Sequence, residues 1–81
     1  MTILLFGVAK EIVGSGSISL PISSAARLHT VADLRTYLGK TYPRLNSISS
    51  LAIAVNNSYA EDRETIDNFD EIALIPPVSG G

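Results

Sequence analysis

The chain holds one histidine and no cysteine among its 81 residues. Without a thiol there is no thiolate nucleophile, no disulfide and no Cys-ligated metal, and a reducing compartment is its natural setting. His29 stands in a run of small residues ahead of Thr30, with Asp33 its nearest acid. Nucleophilic catalysis needs a nucleophile, a base and a group that orients the base. His29 supplies only one of the three and reads as a solvated loop residue. Serines are plentiful, but Gly-x-Ser-x-Gly does not occur. Gly14-Ser15-Gly16-Ser17 has the composition of a phosphate loop without the Lys-Ser/Thr that closes on phosphate, so it reads as a turn. Glu61, Asp62, Glu64, Asp67, Asp70 and Glu71 lack the spacing and central glycine of a calcium loop and read as a solvated segment. Asp70-Glu71, just ahead of an apolar run, suits a turn, with docking charge as the second option.

The remaining reactive group is the chain end. Ile72-Ala73-Leu74-Ile75 runs into Pro76-Pro77-Val78-Ser79-Gly80-Gly81. A terminal Gly-Gly is compatible with simple fraying. Against that, two prolines stiffen the exit and aim the chain away. An extended chain from Pro76 to Gly81 reaches roughly 20 Å at ~3.3 Å per residue. Glycines without Cβ thread narrow channels. The special chemical group at the tip is the Gly81 carboxylate. A chain with no side-chain nucleophile in a catalytic setting has its own C-terminus left to offer.

The rest of the sequence has to position that end. Hydrophobic residues make up 46% and charged residues 17%, too apolar for disorder and lean in charge for a small domain. Lys10, Arg27, Arg35, Lys40, Arg44 and Arg63 are scattered and the net charge is −2, which argues against nucleic acid. The opening MTILLFGVAKEIVG lacks a basic n-region and is interrupted by Lys10 and Glu11, unlike a signal peptide. No apolar stretch has bilayer length, so no membrane partner is expected and a cytoplasmic location is.

Thr2 to Val8 reads as a strand. Ser17 to Ile22 alternates with period two and should bury Ile18, Leu20 and Ile22, with Pro21 marking an edge or an end. Gly14-Ser15-Gly16 should join the two as a hairpin. Ser23 to His29 reads as a loop. Thr30 and Asp33 form a capping-box pair ahead of a helix whose stripe is Val31, Leu34 and Leu38, ended by Pro43. Arg44 to Ser50 is a polar connection. Leu51 to Val55 is a strand, Asn56-Asn57 a left-handed turn, Ser58 to Ala60 a short return strand, Glu61 to Asn68 a loop, and Glu71 to Ile75 the last strand. The fold class is α+β: a mixed sheet of about five strands with one main helix, the element order of a β-grasp. Residues 1–77 form the domain and 78–81 a flexible tail.

One helix covers one sheet face. If Ile3, Leu5, Ile72 and Leu74 lie under it, alternation sends Leu4, Phe6 and Ile75 to the open face, where Tyr59 could join them. Loops can fill such a face, and scattered apolar exposure is ordinary. Two neighbouring strands contributing large apolar groups favour a protein-binding patch.

"LLFGVAKEIVG", "VNNSYA" and "DEIALIPPVSGG", in this element order, resemble the small subunit of molybdopterin synthase, a ubiquitin-like sulfur carrier of the MoaD/ThiS group. The resemblance spans essentially the whole chain, with Pro-Pro-Val-Ser-Gly-Gly its most specific part. It implies that an activating enzyme of the ubiquitin-activating type uses ATP and Mg²⁺ to adenylate Gly81, the chain itself binding neither. A sulfur donor then displaces AMP to give a thiocarboxylate. The tail enters the large subunit and delivers sulfur to a cyclic pterin precursor, forming the dithiolene of molybdopterin. The chain is thus the donor, and the catalytic side chains belong to its partner. Phe6, Tyr59 and Ile75 match the family's apolar contacts with the large subunit, and Lys10 a basic position beside them. Pro76 leads into the threaded tail of Val78, Ser79 and Gly80. Two residues depart from the pattern. Gly7 replaces an alanine, and Phe69 replaces a glycine, so either Asn68 takes a left-handed conformation there or the turn differs. The alternatives are a carrier for thiamine or tRNA thiolation, a ubiquitin-like modifier, and an interaction domain with an inert tail.

Overall fold

The alternating pattern near the start of the chain breaks after five residues, and the reason lies in Gly7. The computed structural model describes residues 1–77. In it β1 covers Thr2–Leu5, and Gly7, at φ +53°, turns the chain into α1, Gly7–Val13. The strand expected through Val8 therefore ends early, and Val8 lies on a helix. Ala9, Ile12 and Val13 pack on the core at helical spacing, a short apolar stripe. Gly14, left-handed at φ 84°, closes α1 as its N–H donates to the Lys10 carbonyl at 2.8 Å. β2, Ser17–Ser19, does pair antiparallel with β1, but across this helix and not a tight hairpin.

Pro21 ends the β2 region, and α2, Ile22–Ala25, stands where a loop was expected. Ile22 is consequently not buried but 72% exposed, because it rides on a helix that begins where the alternation stops. The main helix α3, Val31–Thr41, begins as expected. Thr30 Oγ1 accepts from the Asp33 N–H at 3.2 Å, and Asp33 Oδ2 accepts from Thr30 N–H at 3.1 Å. The Val31 and Ala32 amides donate to the Glu64 and Asp62 carbonyls, so the acidic segment covers a helix end whose amides lack intrahelical partners. Arg35 Nε donates to Asp62 Oδ1 at 2.7 Å and fastens the same segment from the side.

After Pro43 the connection is a 3₁₀ helix, Pro43–Ser47, that buries Leu45. The strands β3, Ala52–Val55, and β4, Ser58–Tyr59, come next, joined by Asn56 and Asn57 at φ 51° and 69°, and β5 is Glu71–Ile75. The sheet order is β2-β1-β5-β3-β4. β1 and β5 are parallel at its centre, and the other pairs are antiparallel. This is the ubiquitin-like β-grasp arrangement. The last strand, β5, lies between β1 and β3, and the segment leading to it passes the N-terminal end of α3. Among the described residues no helix is long and apolar enough to cross a membrane.

Candidate functional site

Register decides which side chains share a face. Leu4 pairs with Ala73, Ala73 with Ala54, and Ala54 with Tyr59, one row across four strands. Its neighbours Ile3, Leu5, Ile53, Ile72 and Leu74 point to the other side, under Val31, Leu34 and Leu38 of α3. The row facing away from the helix forms the floor of a groove of about 280 Å³. Phe6 and Tyr59 stand at its sides, 49% and 73% exposed, and Ile75 lies at one end. Ala54 and Ala73 are small, which leaves room above the sheet between the large groups.

The expected open-face residues Leu4, Phe6, Tyr59 and Ile75 are therefore brought together. Lys10 is exposed on α1 and does not line the groove. Sequence reasoning missed Ala54, Asn57 and Glu71 as lining residues. The signal was available in the same parity: Glu71 is two residues before Ala73, and Ala54 two after Ala52.

The exit of the chain is fixed at the Ile75 end. Pro76 is buried and Pro77 exposed, so the first proline belongs to the fold and the second leaves it. Val78, Ser79, Gly80 and Gly81 lie outside the described residues.

The other candidate groups do not assemble into chemistry. His29 is exposed, and its backbone N–H donates to Asp33 Oδ2 at 2.9 Å. That bond, followed by the one from Thr30 N–H, holds the Asp33 carboxyl below its ordinary range. Asp33 is thus a cap and not a catalytic partner. Asp70 serves the turn: Oδ1 accepts from Asn56 Nδ2 at 2.9 Å and Oδ2 from Asp67 N–H at 2.7 Å. No residue from Asp67 to Asp70 has positive φ, so Phe69 needs no glycine-like conformation and Asn68 takes no left-handed one. Among the described residues no three His, Asp or Glu side chains are grouped to hold a metal ion.

A second cleft, about 400 Å³, opens between α3, the 3₁₀ helix and β3. It lies on the helix side of the sheet, opposite the groove. Its Arg35 head is already committed to Asp62 and to the Leu51 carbonyl, and it joins no nucleophile to a base.

The sulfur carrier subunit of molybdopterin synthase from Dictyostelium discoideum is 38% identical over 84 residues, which cover 98% of this chain and 93% of that one. The corresponding Arabidopsis thaliana subunit is 32% identical, covering 98% and 80%. Among solved structures, small archaeal modifier protein 1 of Haloferax volcanii superposes with a TM-score of 0.76 at 26% identity, covering 95% of each chain. The ThiS family model matches residues 3–81, from the second residue of β1 through the terminal Gly-Gly, and with that match the chain belongs to the ThiS family.

Proposed function

We propose that this chain is the sulfur-carrier subunit of a molybdopterin synthase. The observation that carries the reading is the apolar groove of Leu4, Phe6, Tyr59 and Ile75 set beside the fixed exit at Pro76. A partner seated on the groove would receive the chain end at a defined place. The named relatives that are sulfur carrier subunits of that enzyme, matched over nearly their whole length, support the same choice.

The chain's own contribution is the Gly81 carboxylate. An activating enzyme spends ATP, with Mg²⁺, to attach AMP to it, releasing pyrophosphate. The acyl-adenylate is open to attack because AMP is a good leaving group, and sulfur from a donor displaces AMP to leave a thiocarboxylate. In the large subunit that sulfur passes to the cyclic pterin precursor, and water returns oxygen to the Gly81 carbonyl carbon. The chain is a donor and not a catalyst. Phe6, Tyr59 and Ile75 hold the large subunit, and Lys10 flanks them. Pro76 starts the tail, and Val78, Ser79 and Gly80 thread. A cytoplasmic location, shared with its activating enzyme, goes with this reading.

Intact mass of the chain from its native host tests this. A fraction carrying the oxygen-to-sulfur exchange at the C-terminus, absent after deletion of Gly81, is expected. Co-purification should recover a molybdopterin synthase large subunit. The likeness to small archaeal modifier protein 1 favours a second reading, a modifier joined through Gly81 to lysines. Covalent ladders on a denaturing gel, without a thiocarboxylate, would select it over the first.

A further inference from the structure

The parallel register of β1 and β5 ends at the pair Leu5 and Leu74. Carried two residues further, it sets Phe6 beside Ile75 and Gly7 beside Pro76. The second of these meets at the limit of packing. A Cβ built on Gly7 would stand 3.0 Å from Pro76 Cγ, closer than side chains ordinarily approach. Gly7 also has φ +53°, a region where an L side chain is strained. Pro76 has no N–H to give the sheet, so its place is set by packing and not by the ladder. It is buried all the same, and Pro77 beyond it is exposed.

We propose that Gly7 is a positioning residue for the chain end. Its bare Cα seats the Pro76 ring and so sets the direction in which the chain leaves the sheet toward Gly81. This deepens the sulfur-carrier reading and rests on it. Gly7 directly follows Phe6, so one segment serves both the docking groove and the bearing of the chain end. A misplacement of about 1 Å at a reacting atom can slow a positioned reaction by roughly a hundredfold, so a modest change of bearing at Pro76 is enough to be read in the rate.

The test uses the full chain with its thiocarboxylate made chemically, by thiolysis of an intein fusion, together with the molybdopterin synthase large subunit of the same organism. Docking affinity, single-turnover sulfur release at saturating large subunit, and melting temperature are measured. Gly7→Ala is expected to slow sulfur release at saturating large subunit about tenfold, whatever its effect on the docking Kd. Pro76→Ala is expected to do likewise. The double variant should be no slower than Gly7→Ala alone, because the added methyl then meets no ring. A purely structural role would lower stability and leave the rate at saturation untouched. Slowing that multiplies in the double variant, or wild-type rates in both single variants, would overturn the proposal. If Gly7→Ala does not fold, Pro76→Ala decides alone: slowed release with intact docking supports it, and a wild-type rate refutes it. A wild-type chain that neither docks nor transfers would instead overturn the sulfur-carrier reading beneath it, and the proposal with it.

Discussion

On the helix-covered face of the sheet, Ile3, Leu5, Ile53, Ile72 and Leu74 are all at most 2% exposed. On the opposite face, Phe6, just past β1, and Tyr59, on β4, are 49% and 73% exposed around a groove. One residue of register separates the two sets. Leu74 and Ile75 are neighbours of similar size and chemistry, and alternation alone gives one to the core and the other to the groove. In a chain of this size few apolar groups are spare, so a row kept out of the core is better explained by a partner than by chance.

Truncating those two neighbours tests the contrast hardest. Leu74→Ala removes a fully buried side chain and should cost about 2–5 kcal/mol, enough to unfold much of a small domain. Ile75→Ala empties no core cavity and should cost about 1 kcal/mol or less in denaturant unfolding, while weakening the large subunit's binding. Equal losses of stability from both would show that the open face is core and that the groove is not a docking surface.

Phe6→Asp probes the open face directly. A charge beside the Leu4 and Ile75 side chains leaves the free chain soluble and folded, because Phe6 already faces water over about half its surface. In a desolvated interface an unpaired carboxylate should cost about 2 kcal/mol or more of binding, roughly thirtyfold in Kd by titration calorimetry. A collapse of the melting temperature with that substitution would move Phe6 to the core side of the comparison.

The covered face was legible in the sequence because two periodicities agree there. Val31, Leu34 and Leu38 repeat at helical spacing and Ile72 and Leu74 at strand spacing, and both sets need the same core. The open face came from the strand parity, with Ala54 and Glu71 overlooked because small or charged residues do not announce a groove floor. α1 stayed hidden for a physical reason. Phe6, Gly7 and Val8 continue an apolar run, and the strand ends because Gly7 takes a positive φ, which no local pattern displays. α2 was hidden likewise, since Pro21 stops a strand equally well ahead of a loop or a short helix.

The smallest expected effect concerns the cap that holds α3 over the covered face. The Asp33 carboxyl accepts the backbone N–H groups of His29 and Thr30, and these bonds to its charged form lower its pKa from 3.8. A folded-state pKa below the unfolded value means stability that is complete above pH 3.8 and is lost as pH falls through the lower folded value. Asp33→Asn removes that proton-linked contribution, so its unfolding midpoint should fall less steeply on acidification below about pH 4 than the wild type's. At neutral pH the variant should be slightly less stable and should bind the large subunit unchanged, since the cap touches only the helix side. Altered docking by Asp33→Asn with the fold intact would mean that the two faces are coupled through α3. The groove would then be shaped by the helix across the sheet and not by strand alternation alone.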